Sequence, residues 1–301
     1  LSATGHIPQG PIEILGPAVP AAPLVFASPH SGCYYPPDFV AASPLDLATL
    51  RRSEDCYVDE LFGDAAGLGL PMVRALYPRA YLDVNREPYE LDPNMFADPL
   101  PAFANTTSVR VAAGLGTIPR IVATRREIYG GKLRFPDAEA RIAAVYRPYH
   151  AALAQLIARA HARFGFCIVI DCHSMPSTGL PIAAGGEPLS IDMVLGDRTG
   201  LSCAPVVTDA VESFLNQNHY RVTRNNPYAG GYTTQHYGDP SGGTHVLQIE
   251  INRALYMDEG TLAPRTTFAM LRADLRALMC CLTTLAIDHA YALKRERLSA
   301  E

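Results

Sequence analysis

The run Phe166-Cys167-Ile168-Val169-Ile170-Asp171 constrains the fold most. A continuous, largely β-branched apolar run of this kind is buried on both faces, and globular proteins put such strands in the middle of a parallel sheet covered by helices. The stretch ahead of it, 137–164, has the apolar spacing of an amphipathic helix, interrupted at Pro148. The alternation recurs on both sides. Pro23-Leu24-Val25-Phe26-Ala27-Ser28 predicts a second buried strand, stopped by Pro29. Residues 45–66 carry Leu47, Leu50, Val58, Leu61 and Phe62 at helical spacing, with Ser43-Pro44 as cap and first turn. Extended runs follow at 72–76 and 81–84, then a long Pro/Asn/Thr/Gly-rich stretch over 87–119 of the kind that usually carries function. Beyond the central strand the pattern predicts strands at 191–195, 220–224 and 246–251, a helix at 203–218, a loop at 225–243 and a closing helix over 264–293. Pro8, Pro11, Pro17, Pro20 and Pro23 make 1–23 an irregular lead-in. With no repeat or dividing linker, this order predicts a single α/β domain over 1–301, with a mixed, mostly parallel sheet flanked by helices. Ligands in such folds collect at the C-terminal ends of strands.

Composition narrows the function classes. At 48% hydrophobic and 18% charged over 301 residues, the chain has the material for a packed core, which excludes disorder, collagen and coiled coil. A net charge of -5 with scattered basic residues offers no footprint for nucleic acid. No apolar run approaches the roughly 18 residues of a membrane span, and residues 1–10 lack the pattern of a secretory signal. The 7 cysteines include no Cys-x-x-Cys pair, and Cys280 and Cys281 are adjacent within a helical pattern, so they read as reduced thiols. The expectation is a soluble cytoplasmic protein with neither a nucleic acid nor a membrane partner; nothing in the pattern specifies an oligomeric state.

Two predicted strand ends present a histidine. His30 follows the first strand in Ser28-Pro29-His30-Ser31-Gly32, and His173 ends the central one in Asp171-Cys172-His173-Ser174-Met175-Pro176. A lone loop histidine often does no more than cap a strand, but a pair of them suits a catalytic metal site of two imidazoles and one carboxylate with a position left for water. Glu54 and Asp55 are the carboxylate candidates; taken singly, each reads more simply as a solvated helix face. Asp171 suits orienting a ligand or tying to backbone amides. Glu250 stands between Ile249 and Ile251 in an apolar strand, where a carboxylate is costly unless paired or working, so it is either a general base or the partner of Arg253. Asn85 and Arg86 together suit a substrate carboxylate, the arginine by its bidentate fork and the amide by a further donor; the plainer alternative is a surface salt bridge from Arg86 to Glu87 or Glu90. The loop around Gly231 and Thr233 is rich in donors and reads as a substrate lid or a long turn. Cys33 lacks the partner pattern of a thiol nucleophile. No serine nucleophile elbow, phosphate loop or dinucleotide fingerprint occurs, and Gly185-Gly186 reads as a turn.

Taken in order, Ser28-Pro29-His30-Ser31-Gly32, Glu54-Asp55 with Val58-Asp59-Glu60-Leu61, Asp83-Val84-Asn85-Arg86, Asp171-Cys172-His173-Ser174, Gly230-Gly231-Tyr232-Thr233 and Leu247-Gln248-Ile249-Glu250-Ile251-Asn252-Arg253, followed by Tyr256-Met257-Asp258-Glu259, resemble the N-formylglutamate amidohydrolase family. The resemblance runs from about residue 24 to 260. It implies a zinc-peptidase-like α/β fold (phosphorylase/hydrolase-like), related to metallocarboxypeptidases and aspartoacylases, and release of formate from N-formyl-L-glutamate in histidine breakdown. Carried over residue by residue, it implies His30 and His173 as ligands of one divalent metal, most simply Zn2+, Glu250 as the general base that works on a zinc-bound water, and Asn85 with Arg86 as the clamp on a small anionic N-acyl amino acid. Gly231 and Thr233 join the substrate contacts. The chain departs from the related carboxypeptidase and aspartoacylase pattern at Cys33, where that pattern has glutamate, so the third ligand is placed at Asp55, with Glu54 second. Two other readings stay open: a zinc amidohydrolase for another N-acyl amino acid or small peptide, and a non-catalytic, metal-stabilised protein that binds carboxylates.

Overall fold

The structure is a computed structural model and describes residues 8–178 and 190–294. The Gly185-Gly186 turn lies outside the described residues. The main sheet has β1 (Ile12–Leu15), β2 (Leu24–Ser28), β3 (Met72–Ala75), β4 (Cys167–Met175), β5 (Met193–Gly196), β6 (Val222–Arg224) and β7 (Thr244–Asn252). Its order is β1-β3-β2-β4-β7-β5-β6. β2, β4 and β7 run parallel, whereas β5 is antiparallel to β7 and parallel to β6. The architecture is α/β, with a mostly parallel mixed sheet flanked by helices. Every residue of β2 and β4 is buried, as the continuous apolar runs predict for strands covered on both faces.

Among the described residues the chain forms two compact units, one drawn from 8–13, Pro29–Cys56 and Val73–Ala152, the other from Ile14–Ser28, Tyr57–Met72, 153–178 and 190–294. The second unit holds β2, β4, β5, β6 and β7 together with the helices Pro205–Gln217 and Phe268–Asp288. The latter helix buries Leu271, Leu275, Leu278, Met279, Leu282 and Ala286, a stripe at intervals of three and four that seats one face on the core. The first unit has its own apolar cluster of Phe39, Leu45, Leu50, Ala80, Val122 and Ile128. Over that cluster the Arg141 guanidinium stacks 4.3 Å from the centre of the Tyr81 ring and donates to the Tyr129 hydroxyl at 2.7 Å. The charge is thereby placed on aromatic faces, which attract cations.

Several elements depart from the sequence expectation. β1 lies inside the expected irregular lead-in, in the proline-free window between Pro11 and Pro17 and at the sheet edge, where flanking prolines are tolerated. The helix expected over 45–66 is a broken series, Leu47–Leu50, Arg51–Ser53, Val58–Leu61 and Asp64–Gly67. Asp46, not Ser43, caps its start by accepting from the Thr49 N–H at 2.7 Å. The break falls at Glu54 to Tyr57, where the Asp55 N–H leaves the helical path to donate to the His30 carbonyl at 3.0 Å and Tyr57 takes a left-handed φ of 65°. Residues 81–84 are not a strand. They turn back on Pro78, whose carbonyl accepts from the Tyr81 N–H at 2.9 Å, and the Asp83 N–H donates to the Thr117 carbonyl at 2.8 Å. Pro148 does not interrupt its helix, because a wider π turn over Ile142–Tyr146 precedes it and Arg147–Phe164 continues from there. The 225–243 loop contains a short helix, Tyr232–Tyr237. All seven cysteines are free thiols, and among the described residues no helix is long and apolar enough to cross a membrane.

Candidate active site

His30, His173 and Glu250 stand at or near the ends of three neighbouring strands. His173 sits within β4, which continues past it to Met175, and its register partner on β7 is Glu250. Two positions earlier, Asp171 pairs with Gln248 in the same ladder. Side chains alternate along a strand, so Asp171, His173, Gln248 and Glu250 share one face of the sheet. His30 lies just past β2, in a turn that only glycine fits: a Cβ on Gly32 would stand 2.2 Å from the Tyr77 carbonyl oxygen. Gly32→Ala is expected to force backbone apart beside His30 and to lower stability by roughly 1–3 kcal/mol, read as a fall in thermal midpoint.

His30, Asp55 and His173 are all buried, and each offers one ligand atom such that these atoms lie within 4.8 Å of one another. The His30 ring is held on both sides. Its Nε2 is 2.7 Å from Asp83 Oδ1, and its Nδ1 is 3.4 Å from Asp55 Oδ2. Asp83 is anchored in turn, its Oδ2 accepting from Arg79 Nη2 at 2.6 Å and its Oδ1 from the Asn85 N–H at 2.9 Å. Burial pushes the Asp83 carboxyl up, but Arg79, Arg86 and His30 outweigh it and hold the group well below the usual carboxylate range. A charged Asp83 accepts the proton of Nε2, which leaves Nδ1 as the ring atom facing Asp55, and Nδ1 and Asp55 Oδ2 stand 3.4 Å apart, close enough to share one cation. His173 has a similar partner, with Nε2 3.0 Å from Asp171 Oδ2. Carboxylates that orient imidazoles in this way are a recurring support of metal ligands. Two buried imidazoles and a buried carboxylate therefore make a donor set that fits a divalent metal.

Glu54 is engaged elsewhere. Its carboxylate accepts from Arg51 Nε at 3.0 Å and from Cys56 Sγ at 3.1 Å, and it stands outside the His30–Asp55–His173 group. Cys33 is exposed and is not part of that group. Arg86 is not on the surface beside Glu87. Its side chain is half-buried, Nε donating to the Leu115 carbonyl at 2.9 Å and Nη1 to the Asn85 carbonyl at 2.8 Å, with Nη2 3.7 Å from Asp83. Loss of hydration lowers its pKa, against the pull of Asp83. Asn85 and Thr233 are fully buried. The Gly231 N–H is spent within the protein, donating to Gln248 Oε1 at 2.7 Å. Arg253 Nε donates to Ser174 Oγ at 3.1 Å, while Glu250 Oε1 accepts from Gln248 Nε2 at 2.9 Å. Two residues thus carry weight that the sequence reading did not give them: Asp83 and Gln248, each of which holds another side chain in place. The only sequence signal for either is its spacing, two residues before Asn85 and two before Glu250.

The model of the N-formylglutamate amidohydrolase family matches residues 22–257. An N-formylglutamate deformylase of Pseudomonas aeruginosa is 29% identical over 279 residues, 91% of this chain and 95% of that protein. A deformylase of the same name from Pseudomonas putida is 28% identical over 241 residues, 79% of this chain and 82% of the other. Among solved structures, the N-formylglutamate amidohydrolase from Ralstonia eutropha JMP134 superposes with a TM-score of 0.84 at 37% identity, covering 95% of this chain and 99% of that one. A gene product of Agrobacterium tumefaciens shares the fold at a TM-score of 0.65 and 18% identity, over 92% of this chain and 96% of its own. Both the extent of the family match and the agreement in sequence and fold with the Ralstonia enzyme lead to one assignment: the chain belongs to the N-formylglutamate amidohydrolase family.

Proposed function

We propose that this hydrolase cleaves N-formyl-L-glutamate to formate and L-glutamate, with one divalent metal, zinc, held by His30, Asp55 and His173, and with Glu250 as general base. The observation that carries the reading is the buried His-Asp-His group, with Glu250 in register with one of its histidines, in a chain of this family. When bound, zinc supplies Lewis-acid polarisation of a carbonyl and acidifies a water to a pKa of about 7. Glu250 takes a proton from the attacking water as its oxygen bonds to the formyl carbon, then delivers that proton to the nitrogen as the C–N bond breaks. The second proton of the water passes from the new formic acid to the released amine, so formate and the ammonium form of glutamate leave, which balances the added water. Asn85 and Arg86 supply the donors for the substrate's carboxylates, and Arg86 arrives oriented because backbone carbonyls hold its Nε and Nη1. Thr233 remains a substrate contact in this reading. Gly231 does not, since its N–H serves Gln248. The same reading places the reaction in histidine breakdown and in the cytoplasm.

The test is metal content together with formate release from N-formyl-L-glutamate, before and after chelation and after zinc is restored. About one zinc per chain, with activity lost on chelation and regained with zinc, is the expected result. Bound zinc without formate release would redirect the reading to another N-acyl amino acid or small peptide. Absence of both would leave a binding role.

A further inference from the structure

Gln248 lies between the 225–243 loop and Glu250, and its orientation is determined by chemistry. A backbone N–H can only donate, so the Gly231 amide, 2.7 Å away, must face the side-chain oxygen of Gln248. Gln248 Nε2 is thereby turned to Glu250 Oε1 at 2.9 Å, where it can only donate. Both side chains are buried, and with i and i+2 on one strand face the amide runs alongside the carboxylate. The loop reaches this position through close backbone approach. Gly196, the register partner of Gln248 on β5, carries no side chain where a Cβ would meet the Ala229 carbonyl carbon and the Gly230 nitrogen at 2.9 Å. Gly230 itself takes a φ of 129° that an L side chain rarely adopts, and a Cβ there would come within 2.4 Å of Thr234 Oγ1.

From this chain of contacts we infer that Gln248 is a positioning residue for the general base: it fixes the plane of the Glu250 carboxylate and ties it to the Gly230-Gly231 turn. The inference rests on the reading of Glu250 as base. It concerns the turnover step, because the two side-chain hydrogen bonds of Gln248 run to the Gly231 N–H and to Glu250.

The experiment is a double-mutant cycle on the zinc-loaded enzyme with N-formyl-L-glutamate. Gln248→Met removes both hydrogen bonds. Gln248→Glu keeps the acceptor for the Gly231 N–H but sets a second carboxylate against Glu250, so that the pair shares one proton and the base is no longer held free by a neutral donor; it preserves the turn if the first variant folds poorly. Each is expected to lower kcat about 10- to 100-fold, the scale of a reacting group displaced by about an ångström, with KM within about threefold of the parent and zinc content and thermal midpoint followed alongside. Because Gln248 acts through Glu250, the same changes made in a Glu250→Gln background are expected to lower the residual kcat no further. Gly196→Ala, which alters neither side chain but lifts the turn, is expected to follow the same pattern. An undiminished kcat in both Gln248 variants would overturn the inference. So would an effect confined to KM, or a loss in the Glu250→Gln background as large as in the parent, which is the signature of a merely structural role. Failure of the underlying reading looks different: Glu250→Gln alone would turn over at the parent rate, and the positioning role would fall with the base.

Discussion

Glu250→Gln is expected to lower kcat for formate release by about 100- to 10,000-fold, the range a positioned general base contributes, with zinc content and KM staying close to those of the parent. The glutamine is nearly the same size and can still meet Gln248, so the strand face is preserved and only the capacity to take a proton is lost. In the proposed scheme substrate and metal are held by other residues, so the effect is expected to fall on turnover. Steady-state kinetics with metal analysis of the same preparation checks it. A retained kcat would remove Glu250 from the mechanism.

Asp55→Ala is expected to abolish stoichiometric zinc binding and, with it, activity, whereas Glu54→Gln keeps the metal. The adjacent carboxylates face different partners. Asp55 stands 3.4 Å from His30 Nδ1 within the buried donor group, and in the proposed scheme removing one ligand from a set of three would leave too few donors to hold an ion against water. Glu54 neutralises Arg51 and receives the Cys56 thiol. Its loss costs stability, by about 3–5 kcal/mol at most, since that is the scale for breaking a fully buried pair and Arg51 is partly exposed. Zinc per chain measured after gel filtration of both variants separates them. Loss of metal from Glu54→Gln alone, with Asp55→Ala still loaded, would exchange the two roles.

The strands that position this site were legible because their physics is local. β2, β4 and β7 are covered by other elements, so the hydrophobic runs around Phe26, Ile168 and Leu247 announce them without reference to the rest of the chain. His30, His173 and Glu250 stood out as polar groups at or in those runs. The helix expected over 45–66 shows the opposite case. Its apolar residues do have helical spacing, but a hydrogen bond from the Asp55 N–H to His30, far away in sequence, decides where the helix ends. The break also separates Asp55 from Glu54, a distinction that spacing alone left open. Asp83 and Gln248 escaped for a related reason. Their work is done on other side chains, and the contact between Asp83 and His30 spans 53 positions that no periodicity links.

The parallel pairing of β4 and β7 has a consequence for how such an enzyme can change. His173 and Glu250 are opposite one another across that pair, so their separation is governed by the interstrand spacing of a sheet, about 4.8 Å, and by no loop. Turns elsewhere in the chain can lengthen, shorten or exchange residues while this spacing stays constant. In the proposed scheme the distance of the base from the metal group is thus set by the sheet and the tilt of its carboxylate by the Gly230-Gly231 turn, so that a change in that one turn retunes proton transfer and changes in others do not.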